Sequence, residues 1–262
     1  MLVVMSLVYN SAARLNDPLA ILIIFTISGF VSDNMTNDIK NNLQKIRQQI
    51  AESCTACDRS AADVMLLAVS KTKPVEAIEA AYSAGQIDFG ENYLQEAIAK
   101  INQLEQLPLH WHFIGRIQSN KTRAIAENFD WVHTVASYKH AQRLNDQRPS
   151  ALPELNICIQ VNISQDPDKS GVMAEDTLQL ARQISQLPQL KLRGLMTIPE
   201  ATSDQHKQRQ FFRQLADLQD KINSEGFSLD TLSMGMSGDM QIAIEEGSTI
   251  VRIGTAIFGK RE

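Results

Sequence analysis

The chain has 262 residues, 44% of them hydrophobic and 21% charged, with a formal charge of −5. A net negative chain of this kind argues against nucleic acid as the main partner, because a phosphate backbone calls for a basic surface. Its three cysteines, Cys54, Cys57 and Cys158, are too few and too unevenly spaced for a secreted disulfide framework.

The first 34 residues read differently from the rest. Leu19 to Val31 is an apolar run of 13 residues behind Arg14, short of the roughly 20 needed to span a bilayer. No small-residue cleavage site follows it, as a signal peptide would require. Met35 is the expected natural start, with residues 1–34 outside the fold. A membrane-tethering helix is the alternative.

From Ile39 the positions Ile39, Leu43, Ile46 and Ile50 share one helical face. Cys54 and Cys57 follow this helical pattern as C-x-x-C. No second pair accompanies them to make a zinc site. The run Leu66 to Val69 is too short for a helix and stops at Ser70-Lys71. Pro74 then opens a helix that Gly85 ends, the usual punctuation. Lys71 therefore sits where a buried strand hands over to a helix, the end of a strand where α/β folds bind ligands.

Ile87 to Gly90 predicts a second strand, ending in Glu91-Asn92-Tyr93, and Trp111 to Gly115 a third. His110 and His112 share a face of that strand. Packing is the better reading for them, because no carboxylate or third histidine accompanies them in sequence. Trp131 to Val135 predicts strand four. Asn156 to Ile163 alternates as strand five, with Cys158, Gln160 and Asn162 on its polar face. Asn162, near the carboxyl end, is a candidate ligand-lining residue. Residues 174–187 predict a helix, Leu190 to Ile198 strand six, and the Phe211–Ile222 periodicity a long helix ended by Gly226. Leu229 to Met234 and Ile250 to Ile253 complete eight strands. Alternation without a composition break predicts one (β/α)8 TIM-type barrel over residues 35–262, with an extra N-terminal helix. A doubly wound sheet is the alternative, weakened because no G-x-G-x-x-G follows the first strand.

The chemistry falls at strand ends. Ser233-Met234-Gly235-Met236-Ser237-Gly238-Asp239 follows strand seven, and Gly254-Thr255-Ala256 follows strand eight. These are the usual phosphate loops of such barrels. Small residues let backbone N–H groups approach an anion, and Ser237 and Thr255 add hydroxyls. Arg252 stands between aliphatic neighbours inside strand eight, so it needs either a salt-bridge partner or a bound group to donate to. A lysine that can form a Schiff base, a phosphate cradle and an arginine beside it together fit pyridoxal 5′-phosphate (PLP).

Several runs resemble the YggS/PROSC family, the pyridoxal phosphate homeostasis proteins. They are Leu67-Ala68-Val69-Ser70-Lys71-Thr72-Lys73-Pro74, Phe89-Gly90-Glu91-Asn92-Tyr93, Trp111-His112-Phe113-Ile114-Gly115 and Gln118-Ser119-Asn120-Lys121. Gly194 to Pro199, Ser233 to Ser237 and Gly247 to Gly259 complete the set, and the match covers about residues 36–261. The resemblance implies a barrel like the N-terminal domain of alanine racemase. It implies that Lys71 carries PLP as a covalent aldimine, that Ser237, Gly254 and Thr255 hold the phosphate, and that Met236 is among the cofactor-binding residues. Arg252 would face the pyridine nitrogen, and Asn92 would lie near the cofactor.

Arg116 departs from the family pattern, standing in a Gly-Pro-Leu-Gln-type position as Gly115-Arg116-Ile117-Gln118. The chain ends at Glu262, so the β domain with the second racemase base is expected to be absent. A monomeric, cytoplasmic PLP-binding protein without catalysis of its own is therefore expected, with PLP-dependent apo-enzymes as candidate recipients. No metal, nucleic acid or membrane is expected to take part. The alternatives are a small amino-acid racemase of the same cofactor type, with Lys73, Lys121 or His112 as acid or base, and a cofactor-free Schiff-base aldolase.

Overall fold

The structure, a computed structural model, describes residues 18–260, with side chains from Met35 onward. Its eight strands are β1 (Met65–Val69), β2 (Asp88–Glu91), β3 (His110–Phe113), β4 (Trp131–Val135), β5 (Leu155–Gln160), β6 (Leu190–Met196), β7 (Thr231–Ser233) and β8 (Ile250–Ile253). Each is parallel to the next, and β8 pairs with β1 to close the barrel. The expected (β/α)8 barrel is therefore the observed fold.

The helices are α1 (Pro18–Ala56), α2 (Val75–Ser83), α3 (Leu94–Gln103), α4 (Thr122–Asn128), α5 (Tyr138–Gln147), α6 (Ala174–Ile184), α7 (Gln205–Ser224), α8 (Met240–Glu245) and α9 (Thr255–Phe258). In α1, Ile39, Leu43, Ile46, Ile50 and Cys54 are buried at helical spacing. This face packs on α2, α8 and α9, which flank the β8–β1 seam. Two side chains tie it there: Asn42 Nδ2 donates to Ile257 O at 3.0 Å, and Arg47 Nη1 to Ala84 O at 2.7 Å. The reading of residues 1–34 falls on residues 1–17, outside the described set, and on the first part of α1, whose side chains are also outside it. Among the described residues no helix is long and apolar enough to cross a membrane.

Strand alternation sorts the side chains into two layers. Leu66, Ala68, Phe89, Trp111, Phe113, Val132, Ile157 and Ile159 join the helices in one large outer core. Inside the barrel are two small apolar clusters: Leu67, Val69, Ile114 and Ile250, and Trp131, Cys158 and Met196. Between these lie the buried polar residues His112, His133, Ser233 and Arg252. The polar face read from β5 is thus the barrel's inner face.

Boundaries differ from expectation by one to three residues. Pro74 is the N-cap of α2 rather than its first residue, with ψ 165°. The fifth strand gives up regular pairing after Gln160, where Val161 keeps only a single bridge to Val172. The Nδ2 of Asn162, the candidate ligand-lining residue, donates to Asp166 O at 2.8 Å and shapes the 164–171 loop.

Candidate functional site

All seven candidate residues stand at the carboxyl ends of four consecutive strands. Lys71 follows the end of β1 by two residues and is half-buried. β8 lies beside β1, with Ala68 opposite Ile253, so Arg252, Gly254 and Thr255 arrive next to it. β7 lies beyond β8 and carries Met236 and Ser237 on its exposed loop. On the other flank, Val69 pairs with Gly90, which sets Asn92 beside the Lys71 turn. Gly254 is a close approach: a Cβ there would stand 3.1 Å from Val69 O.

Arg252 is buried, at 5% exposure. Nη1 donates to Ser233 O at 2.6 Å and to Ser233 Oγ at 2.9 Å, and Nη2 donates to Thr197 O at 2.9 Å. Those bonds use three of the guanidinium's five N–H groups. Burial lowers its pKa to about 10, which leaves it cationic at neutral pH. Among the described residues no carboxylate pairs with it, so the salt-bridge reading of Arg252 does not hold. The guanidinium is hydrogen-bonded only to neutral oxygens and can still donate, with the Asp239 carboxylate of the β7 loop partly offsetting its charge.

The turn that carries Lys71 is braced from α3. Thr72 adopts φ +62°, a left-handed conformation that a β-branched residue rarely takes. Its N–H donates to Glu96 Oε1 at 2.6 Å. Lys100 is almost fully buried, and its Nζ donates to Ser70 O and Glu91 Oε1, both at 2.8 Å, and to Glu96 Oε1. Glu91 is fully buried and also accepts from Ser70 Oγ at 2.7 Å. Burial raises the Glu91 carboxyl's pKa, against the pull of the Lys100 ammonium. Lys71 is thus flanked on both sides by backbone groups that one ion cluster holds.

Asn92 Oδ1 is buried without a hydrogen-bond partner among the described residues. Gly115 presses on this residue, since a Cβ there would lie 2.0 Å from Asn92 O. Arg116 is exposed and lines a cleft of about 420 Å³ with Asn92, Tyr93 and Lys121. In the β7 loop, Met236 N–H donates to Asp239 Oδ1 at 2.6 Å, and Asp239 caps α8. Gly235, at φ +94°, makes the bend, and a side chain there would collide with Ala243.

Sequence reasoning missed two features. The first is the Lys100–Glu91–Glu96 cluster, which the i,i+4 spacing of Glu96 and Lys100 signals in part. The second concerns the histidines. His110 and His112 do have company: Asp88 Oδ1 lies 3.0 Å from His110 Nδ1 and 3.4 Å from His112 Nε2, and His133 Nε2 lies 3.0 Å from His112 Nδ1. These partners come from neighbouring strands, so no local motif shows them. Even so, no metal-binding cluster is found among the described residues. Cys54 and Cys57 are free thiols at the end of α1.

Residues 36–262 match the family model for the alanine racemase N-terminal domain. The chain is 55% identical over 224 residues to the pyridoxal phosphate homeostasis protein of Pseudomonas aeruginosa, covering 86% of this chain and 96% of that one. It is 50% identical over 229 residues to the protein of the same name from Escherichia coli K12, covering 86% and 98%. Among solved structures, PipY of Synechococcus elongatus PCC7942 with PLP bound superposes with TM-score 0.74 at 39% identity, covering 84% of this chain and all of that one. Alanine racemase of Clostridium difficile 630 shares the fold at TM-score 0.67 and 16% identity. The chain belongs to the family of pyridoxal phosphate homeostasis proteins, built on the alanine racemase N-terminal domain.

Proposed function

We propose that the chain binds pyridoxal 5′-phosphate and serves its homeostasis as a holder of the cofactor, without catalysis of its own. The observation that carries this reading is the convergence of seven residues on four neighbouring strand ends, among them a buried Arg252 that no carboxylate of the described residues hydrogen-bonds. The homeostasis name of the relatives and the PLP bound to PipY support it. The residues fit the group. Lys71 Nζ is the amine for its aldehyde, and Ser237, Gly254, Thr255 and the Met236 segment make an open anion cradle. Arg252 keeps donors for a ring nitrogen, and Asn92 Oδ1 is a buried acceptor still to be satisfied.

Bound PLP supplies electron withdrawal from the carbon of an attached amine. Arg252 limits that power. A guanidinium that stays protonated donates to the ring nitrogen and leaves it without a proton of its own. The described tyrosines offer no evident second base: Tyr82 is in α2, Tyr138 opens α5, and Tyr93 is exposed as the N-cap of α3. Holding and delivering PLP, with apo-enzymes in the cytoplasm as recipients, is the role this arrangement favours.

The test is an absorbance spectrum of the full chain after addition of PLP, then borohydride reduction and peptide mass mapping. The expected result is a visible band and a single phosphopyridoxyl adduct on Lys71. No band, or adducts scattered over surface lysines, refutes the site. Robust stereospecific turnover of an amino acid by the loaded protein refutes the holder role.

A further inference from the structure

The polar residues inside the barrel form one continuous chain. It starts at Arg252 Nη1, 2.9 Å from Ser233 Oγ, and passes to His133 Nδ1, 2.8 Å from that oxygen. From His133 Nε2 it runs 3.0 Å to His112 Nδ1, and from His112 Nε2 3.4 Å to Asp88 Oδ1. It crosses from the carboxyl end of β7 and β8, through β4 and β3, to the first residue of β2. His112, His133 and Ser233 are fully buried.

The chemistry of the two ends fixes the direction of every bond. A guanidinium only donates, and a carboxylate only accepts. Ser233 Oγ therefore accepts from Arg252, and with both rings neutral the Asp88 end requires its one hydrogen to go to His133 Nδ1. His133 must then carry its proton on Nε2 and donate it to His112 Nδ1. His112 in turn carries its proton on Nε2 and donates it to Asp88. The reverse direction would set the His112 Nε2 lone pair against the Asp88 carboxylate, unless an extra proton entered the barrel.

Burial lowers the pKa of both His112 and His133, His133 the more strongly, so both rings are neutral at pH 7. Burial also pulls the Asp88 carboxyl upward. The bonds from His112 and His110 outweigh that and hold it below its usual pKa, so it is ionised. Trp131 stacks on His112 with ring planes 6° apart, which fixes the plane of that imidazole.

We propose that this one-way chain locks His112 and His133 as their Nε2–H tautomers and makes Ser233 and His133 positioning residues for Arg252. Ser233 is the joint, because its main-chain oxygen and its hydroxyl take both bonds of Nη1. Its hydrogen is directed to His133 Nδ1, which turns the oxygen's lone pairs toward Arg252. Arg252 then keeps its remaining N–H groups turned to the barrel mouth. The role of Arg252 toward a ring nitrogen rests on the PLP reading; the chain and its tautomers do not.

The experiment is nitrogen-detected NMR of the histidine side chains in the full chain without PLP at pH 7. Expected are two buried imidazoles, each with a proton-bearing Nε2 and a bare Nδ1. A proton on Nδ1 of either ring, or a doubly protonated His112, overturns the one-way chain. A second arm compares PLP binding by the wild type, Ser233→Ala and Ser233→Thr, read from the visible band. The Ala variant should weaken binding about tenfold, the scale of one hydrogen bond to a charged group. The Thr variant, which keeps the hydroxyl, should recover most of it. Equal affinity in wild type and Ser233→Ala overturns the positioning role. If no form binds PLP, the PLP reading has failed, and the NMR result still decides the chain.

Discussion

Replacing Lys100 by Met gives the sharpest test of how the Lys71 turn is held. Lys100 Nζ has three hydrogens, and each has an oxygen: Ser70 O, Glu91 Oε1 and Glu96 Oε1. Met fills the same space and removes the charge and all three donors. Glu91, fully buried, is then left with Ser70 Oγ alone. Removing one partner of a buried pair costs about 3–5 kcal/mol, a large share of the roughly 5–15 kcal/mol by which a domain is stable. The loss should depend on pH. The folded-state pKa of Glu91 is already raised by burial, so the folded chain holds its proton longer than the unfolded one. Such a group adds stability that is full below its unfolded pKa and is lost as pH rises through the folded pKa. Without Lys100 to pull it down, the folded pKa rises further and the window moves toward neutrality. Urea unfolding at pH 7.5 and at pH 5.5 should show the variant's deficit clearly smaller at the lower pH. An equal deficit at both, or one below about 1 kcal/mol, refutes the coupling between Glu91 and Lys100.

Three further outcomes follow from single positions. Thr72→Gly removes a side chain from a left-handed backbone and should stabilise the fold by about 1 kcal/mol in thermal unfolding, while weakening PLP binding as the turn loosens; destabilisation would mean that the Thr72 side chain matters more than its strain. Gly115→Ala drives a Cβ to 2.0 Å from Asn92 O; the backbone has to move, so a loss of about 3 kcal/mol is expected in urea unfolding, and a loss under 1 kcal/mol would show the contact to be relaxed. Cys158 is fully buried, and burial raises its thiol pKa to about 12. An aromatic disulfide reagent at pH 8 should leave it untouched in the native protein and modify it only after unfolding.

Most of the fold was legible because each strand carried its own apolar run and each helix its own punctuation. Pro74 and Gly85 bracket α2, and the Ile39-Leu43-Ile46-Ile50 spacing marks the buried face of α1. The seven site candidates were legible for a related reason: they lie in short local runs, and the barrel's symmetry says where such runs meet. What the sequence hid was partnership across strands. Nothing near Arg252 in the chain announces Ser233 or Thr197, and nothing near His112 announces Asp88, 24 residues away, or His133, 21 residues away. Parallel pairing sets such distances, and they vary with the length of each crossover helix. Asn162 is a different case: its partner Asp166 is local, and the loop closing back on it does not show in a polar alternation.

The two buried networks divide the work of the site. The Lys100–Glu91–Glu96 cluster lies toward α3 and acts on backbone, fixing Ser70 O and Thr72 N–H on either side of Lys71. The barrel-interior chain acts on a side chain, fixing the guanidinium of Arg252 through Ser233. They share no residue. Damage to one should leave the other's geometry intact, because distant, separately partnered groups behave additively. The Lys100→Met and Ser233→Ala pair is the measure of this: the double variant should lose the sum of the two single losses in stability, within about 0.5 kcal/mol. A larger discrepancy would mean that Lys71 and Arg252 are held by one cooperative unit, through the β8–β1 seam where Leu67 pairs with Arg252 or through β2, which carries both Asp88 and Glu91.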